Sequence, residues 1–232
     1  MRIAEIYASL QGEGLFAGTP STFVRTSGCN LRCAWCDTPF TSWQPEGTDR
    51  SVADVLAAVD ALHPRHVVVT GGEPLLFADV ADLCRRLRAA GRHVTIETAG
   101  TVWLDAPADL MSISPKLSTS GPPADTPGGW QARHEATRRA DDVLRRLMAA
   151  APYQLKFVID SAADITEALA WVGDLEAAGT PIDRRRVLFM PQGRTPEELT
   201  AKTAWLAGEC TKFGVGLARR FHIEWFGAVR GT

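Results

Sequence analysis

The chain alternates between two hydrophobic rhythms. Short, β-rich apolar runs occupy residues 3–7, 22–25, 67–70, 94–97, 110–113, 154–159, 187–190 and 221–226, and their length is that of strands. Between several of them the apolar residues recur at three- and four-residue spacing, the mark of a single helix face. Val52, Val55, Leu56, Val59 and Leu62 form one such face, and Val80, Leu83, Cys84 and Leu87 a second. Val143, Leu144, Leu147 and Met148 form a third, and Ile165, Leu169 and Val172 a fourth. Ser51 with Asp54 predicts a capping box at the first of these helices. Thr195-Pro196-Glu197-Glu198 offers a cap, a first-turn proline and a capping-box glutamate to the last helix. Alternating strands and helices predict an α/β fold of βαβ units on a parallel sheet. The crossovers should be right-handed and the site should lie at the carboxyl ends of the strands. Residues 117–133, containing SGPPADTPGGW, break the rhythm and read as a flexible surface excursion.

Composition narrows the function classes. A chain of 232 residues can bury a core without disulfide staples and suits one domain over residues 1–232. Apolar residues make up 45%, charged residues 22%, and the formal net charge is −2, so nothing points to a nucleic-acid or membrane surface. No apolar run reaches about 18 residues and no charged segment precedes an apolar stretch at the start, which argues against secretion or membrane spanning and for the cytoplasm. Arg138-Arg139, Arg145-Arg146 and the arginines at 184–186 are interleaved with acids and read as solvated helix ends and loops.

The cysteines carry the strongest chemical signal. Three of the five, Cys29, Cys33 and Cys36, fall within GCNLRCAWCDT. Their odd total and close spacing do not suit a disulfide framework, and a reducing compartment suits such thiols. Thiolates favour zinc, copper(I) or iron–sulfur clusters. A structural zinc site wants four ligands, and the nearest histidine is the distant His63. Cys84 and Cys210 sit inside helical patterns and read as small buried hydrophobes. A cubane cluster normally takes four cysteines, so three would leave one iron open to another ligand.

CxxxCxxC in a loop after an early strand resembles the signature of the radical S-adenosylmethionine (SAM) superfamily, in which the open iron binds the amino and carboxylate groups of SAM. The run Val67-Val68-Val69-Thr70-Gly71-Gly72-Glu73-Pro74 resembles that family's second motif, with Gly72 and Glu73 placed at the SAM amino group. Together the motifs imply a partial (β/α)6 TIM-like barrel with a 4Fe–4S cluster on Cys29, Cys33 and Cys36 at its mouth. The order of Ser9-Leu10-Gln11-Gly12-Glu13-Gly14, the strand Thr22-Phe23-Val24-Arg25, GCNLRC and CDTPF is similar to the 7-carboxy-7-deazaguanine synthase family. The likeness runs from residue 3 to about 116 and recurs at 154–158 and 190–193; residues 117–133 have no counterpart in it.

That likeness implies a Mg²⁺-dependent radical ring contraction of 6-carboxy-5,6,7,8-tetrahydropterin to 7-carboxy-7-deazaguanine, with loss of ammonia, on the route to queuosine and other deazapurines. It implies a flavodoxin- or ferredoxin-type reductant and a homodimer. Residue by residue, it places Leu10, Gln11, Gly12, Glu13, Arg25 and Thr70 at the substrate and the Thr38 hydroxyl on Mg²⁺. Trp35, Gly72, Glu73, Ser114, Pro115, Lys116, Met190, Pro191, Gln192 and Gly193 fall at SAM. Arg25 would hold the pterin carboxylate with two parallel charge-assisted bonds, and Gln11 and Glu13 would read donors on the ring. Bond breaking belongs to the cofactor, so no side chain is given an acid–base role. Lys156 keeps two readings, the barrel mouth or an edge-strand gatekeeper, and Glu224 with Trp225 could cover the site or a dimer face. His63, His66, His93, His134 and His222 match no motif and read as structural or surface residues. Two other functions stand beside this one: a glycyl-radical-enzyme activase, which shares the cluster motif but needs a protein-docking groove, and a non-enzymatic iron–sulfur or zinc module.

Overall fold

The computed structural model describes residues 1–232, and backbone pairing gathers their β-runs into one sheet. The strands are β1 (Arg2–Leu10), β2 (Pro20–Thr26), β3 (Thr48–Asp49), β4 (His66–Gly71), β5 (His93–Thr98), β6 (Leu110–Ile113), β7 (Tyr153–Ile159), β8 (Val187–Pro191) and β9 (Gly216–Leu217). Their order is β3-β1-β2-β4-β5-β6-β7-β8-β9. β1 runs antiparallel to β2 and β3, and every pairing from β2 to β9 is parallel. The connections carry α1 (Pro39–Ser42), α2 (Val52–Asp60), α3 (Asp79–Ala89), α4 (Trp130–Arg138), α5 (Asp141–Ala150), α6 (Ala162–Ala177), α7 (Pro196–Phe213) and α8 (Phe221–Phe226). β2, β4, β5, β6, β7 and β8 are the staves of the partial (β/α)6 barrel that the motifs implied. No helix is long and apolar enough to cross a membrane.

Alternate residues of each stave face opposite ways. Val24, Val67, Val69, Val94, Ile96, Met111, Ile113, Leu155, Phe157 and Phe189 turn outward into one core with Val55, Leu83, Leu147, Trp171 and Leu206 of the covering helices. The residues between them, among them Arg25, Thr70, Glu97, Ser112 and Lys156, line the inner face and its cavities. Cys84 and Cys210 are buried among helix contacts, as their pattern predicted. The capping box of Ser51 and Asp54 is present. Thr195 accepts from the Glu198 amide, while Glu198 reaches back to the Arg194 amide.

Two expectations fail. Residues 221–226 form a helix, not a strand. Phe221, Ile223 and Trp225 alternate like a strand, but Phe221 stacks on Trp225 one turn away, ring centroids 5.1 Å apart. The second is the excursion at 117–133, whose two ends are tied to the body of the fold while its middle lies on the surface. It contains a short 3-10 turn at Ser118–Ser120 and leads into α4, and both brace the cysteine loop. The Ser120 carbonyl accepts from the Ala34 amide at 3.0 Å. The Arg32 amide donates to His134 Nδ1 at 3.2 Å. The His134 proton therefore sits on Nε2 and points to Ser120 Oγ at 2.9 Å, and that hydroxyl donates to the Leu117 carbonyl at 2.6 Å. The Arg32 guanidinium lies 3.9 Å above the Trp130 ring. This packing needs the partner loop in place, so local composition gave no sign of it.

The same loop is gripped from the sheet side. Gly28 donates to the Thr41 carbonyl at 2.8 Å, Glu73 to the Gly28 carbonyl at 2.8 Å, and Gly72 to the Thr26 carbonyl at 3.2 Å. Gly71 has φ +139°, and a Cβ there would meet Thr26 O at 2.2 Å; at Gly72 it would meet Gly28 O at 2.2 Å. Both glycines are needed because backbone packs against backbone.

Gly72→Ala should therefore destabilise the fold by about 1–3 kcal/mol, the usual cost of forcing extra volume into a packed site, and lower the iron bound per chain; urea titration and iron assay check this. Burial holds His66 and His134 down to about 4. A histidine so depressed takes up its proton on unfolding, so stability is full above its ordinary value near 6.5 and falls as pH drops toward 4. Urea midpoints between pH 7 and 4 should show this loss. His134→Asn, which keeps an acceptor at the Nδ1 position, should flatten the slope.

Candidate active site

Cys29, Cys33 and Cys36 lie between the end of β2 and α1, on the loop gripped from both sides. Cys29 Sγ accepts from the Leu31 amide at 3.4 Å, and Cys36 Sγ lies 3.3 Å from Ser42 Oγ. The Cys33 carbonyl accepts from Trp43 Nε1 at 2.9 Å. Burial pushes the Cys29 thiol up to about 11 and the Cys33 thiol up to about 12, so at neutral pH these two thiols keep their protons until a metal displaces them. No three Cys, His, Asp or Glu side chains converge on a point that one metal ion could share. Three thiols on one loop, each able to hold its own iron, suit a cubane cluster.

Two cavities adjoin at this loop. The smaller, about 160 Å³, is lined by the three cysteines, Leu31, Trp35, Gly72, Thr98, Ala99, Ser114, Lys116, Val158 and Met190. The larger, about 460 Å³, is lined by Glu5, Tyr7, Leu10, Gln11, Gly12, Phe23, Arg25, Phe40, His222 and residues 227–232. Glu13, Cys36, Asp37, Thr38, Thr70, Gly71 and Glu97 line both. The carboxyl ends of the staves thus carry a thiol-lined chamber and a polar chamber in contact.

The polar chamber is wired by charge. Arg25 Nε donates to Glu5 at 2.7 Å and Nη2 to the Tyr7 hydroxyl at 2.8 Å, leaving Nη1 and one Nη2 proton uncommitted. Tyr7 stacks on Phe23, centroids 5.1 Å apart and 11° from parallel. Glu97 accepts from Gln11 Nε2 at 3.0 Å and from the Thr70 hydroxyl at 2.8 Å. Glu13 pairs with both Lys156 and Arg220, and Arg220 also pairs with Asp37 and donates to the Gly193 carbonyl at 2.8 Å. Although burial favours the neutral acid, Lys156, Arg220 and His222 hold the Glu13 carboxyl well below the usual range. Thr38 starts α1 without bonding its own backbone through its side chain; its hydroxyl at the chamber junction makes two long contacts, to Thr41 Oγ1 at 3.4 Å and to Cys36 Sγ at 3.9 Å.

Most residues expected at the substrate and at SAM line one of these chambers, but several side chains have other work. Glu73 lies outside both linings. Its carboxylate accepts from the Thr98 hydroxyl at 2.8 Å, the Ala99 amide at 2.8 Å and the Leu75 amide at 3.1 Å, so it ties β5 to the GGEP turn and is not free to accept an ammonium. Gln11 is held by Glu97 through Nε2 and by the Glu13 amide through Oε1, and Glu13 by its two cations, so the protein itself fixes both side chains in the chamber lining. Pro115, Pro191, Gln192 and Gly193 sit behind the wall; the Gln192 side chain accepts from Lys202 at 3.0 Å. Lys156 faces the barrel interior on β7, between β6 and β8, which removes the gatekeeper reading.

Glu97, Arg220, His222, Tyr7 and Glu5 were not singled out from sequence as site residues. The signal for Glu97 was a charge inside the β-run HVTIET. Gly12 carries the signal for His222, because a Cβ there would meet His222 Nδ1 at 2.3 Å.

The comparisons with known proteins agree with this geometry. The Radical SAM superfamily model matches residues 23–149. A 7-carboxy-7-deazaguanine synthase of Rhodopirellula baltica is 45% identical over 99% of this chain and 88% of its own length. One from Halobacterium salinarum is 45% identical over 95% of this chain and 88% of its own. The crystal structure of QueE from Escherichia coli superposes with a TM-score of 0.68 at 27% identity, covering 95% of this chain and 94% of that one. A relative 45% identical across nearly the whole length, together with the superfamily match over residues 23–149, shows the family: the chain belongs to the 7-carboxy-7-deazaguanine synthase family of the radical SAM superfamily.

Proposed function

We propose that this chain converts 6-carboxy-5,6,7,8-tetrahydropterin to 7-carboxy-7-deazaguanine with release of ammonia, using SAM, a 4Fe–4S cluster and Mg²⁺. The observation that carries the reading is the contact between the two chambers: a three-thiol loop opens onto a polar pocket of about 460 Å³, a size suited to a small bicyclic ligand. When bound, the cluster and SAM supply abstraction of a hydrogen atom from the substrate.

The chain's own groups bind, orient and exclude water. Glu5 and Tyr7 fix the Arg25 guanidinium so that its free Nη edge meets the substrate carboxylate as a fork. The Tyr7–Phe23 stack gives the flat ring an apolar wall. Glu97, with lone pairs left beyond its bonds to Gln11 and Thr70, takes the ring's amide and amino donors, the role first given to Gln11 and Glu13. The Thr38 hydroxyl, at the junction, would offer Mg²⁺ a hard oxygen. In the thiol-lined chamber the backbone of Gly71 and Gly72 would meet SAM, with Trp35, Ser114, Lys116 and Met190 as walls. These contacts hold the two ligands next to each other, which is the protein's share of such chemistry.

The direct test is anaerobic reconstitution with iron and sulfide, followed by incubation with SAM, dithionite, Mg²⁺ and the pterin. The expected result is a ring-contracted product by mass spectrometry in wild type and none in Cys29→Ala, which should also lose iron. SAM cleavage with no pterin turnover would sink the substrate assignment. Arg25→Ala should weaken pterin binding by roughly 10–100-fold, the scale of a lost charge-assisted fork, while SAM binding changes far less. Equal loss of both would remove Arg25 from the carboxylate.

A further inference from the structure

One wall of the polar chamber is the segment 227–232. No backbone hydrogen bond joins residues 228–232 to the rest of the chain, and the Thr232 hydroxyl turns back to the Val229 carbonyl at 2.8 Å. The segment's polar anchorage to the barrel is one side chain, Arg230. Its Nε donates to Glu5 Oε2 at 2.9 Å and its Nη1 to Glu46 at 2.9 Å. Its guanidinium lies 3.8 Å above the Phe40 ring. Glu5 is therefore shared: Oε2 takes Arg230 from the wall, and Oε1 takes Arg25 Nε from the chamber floor.

The geometry points to Arg230 as a positioning residue for the carboxylate end of the pterin pocket, an assignment that rests on the function proposed above. Three physical steps lead there. The Arg25 fork can meet a carboxylate only along its Nη edge, and that edge is aimed by the bond from Nε to Glu5 Oε1. Glu5 has two oxygens, and a carboxylate with one cation can swing to engage Arg25 with both, drawing Nη protons away from the pocket. Arg230 occupies the second oxygen and prevents this. It also alters the local charge. Arg25, Arg230, Glu5 and Glu46 together are formally neutral, but Arg230 stands in the chamber lining and Glu46 outside it, so the positive charge is on the side of the chamber that faces the substrate's anion. The same side chain ties down segment 227–232, so closure of the wall and aiming of Arg25 depend on one contact.

The test is made on the full chain with its cluster, by titration calorimetry with 6-carboxy-5,6,7,8-tetrahydropterin and with tetrahydropterin lacking the carboxylate. Release of the last residues by carboxypeptidase, read by mass spectrometry, follows the segment in the same samples, with circular dichroism as the folding control. Arg230→Met should weaken the carboxylated ligand by roughly tenfold or more, about the value of one charged contact. The unsubstituted ligand should lose less, so that preference for the carboxylate falls at least about fivefold, and trimming of 227–232 should speed up. Arg230→Lys, which keeps the charge but not the fork, should restore part of the preference. Glu46→Gln should free the segment partly and change preference little. An unchanged preference in Arg230→Met overturns the inference, as does unchanged trimming. Wild type that shows no preference for the carboxylated pterin takes down the proposed function itself, and the inference with it.

Discussion

A buried carboxylate, Glu13, holds together the parts of the mouth that an open sheet would leave apart. The barrel does not close: β3 and β9 are free edges. Across the gap, Glu13 in the β1–β2 connection joins Lys156 on β7 and Arg220 beyond β9. Arg220 extends the bridge to Asp37, one residue past the third cysteine. Breaking a buried pair by removing one partner costs about 3–5 kcal/mol, because the charge left behind has no substitute for water. The sheet's seam, the cysteine loop and the floor of both chambers therefore move as one unit or not at all. A single hydrogen bond, from the Phe221 amide to the Gly12 carbonyl at 2.9 Å, adds the backbone's share.

That arrangement explains why polar residues in the opening motifs touch one another more than they face open space. Gln11, Glu13 and Glu73 each accept from protein donors. Each fixes a backbone segment: the β1–β2 turn, the seam, and the GGEP turn against β5. Beside these bracing groups, the free edge of Arg25, the remaining lone pairs of Glu97 and the Thr38 hydroxyl face the chambers. A site built this way is rigid before a ligand arrives, so little ordering remains to be done on binding.

Much of the fold was legible in the sequence, because hydrophobic period is a local property. Seven of the eight expected β-runs are strands, from residues 3–7 to 187–190, and each of the five helical patterns or cap signals leads into a helix. Residues 221–226 defeated the period because aromatic residues alternate there while pairing at helical distance. The cysteine triplet and GGEP were legible as motifs. Glu97 was not, since its meaning depends on register: Val69 pairs with Ile96, which sets Thr70 beside Glu97 at the inner rim. Arg220 was invisible for a similar reason, as its partners lie 183 and 207 residues away along the chain. The brace from 117–138 was hidden by a composition rich in proline and glycine, which describes local freedom but not whether tertiary contacts remove it.

That brace bears on how one fold keeps a reactive cluster in place. The cysteine loop has little regular structure of its own, and a loop on a barrel rim would be mobile by default. Here its amides and carbonyls are claimed from two sides: Gly72 and Glu73 from the sheet, Ser120 and His134 from the excursion. The sheet side is built from the motif that the superfamily likeness explains. The other side comes from a segment that carries no recognisable motif, with a neutral histidine whose two nitrogens are both spent. The loop's conformation is thus set partly by parts of the chain with no ligand contact. Variation in residues 117–138 would change how firmly the three thiols are held without altering any residue that touches iron, SAM or pterin.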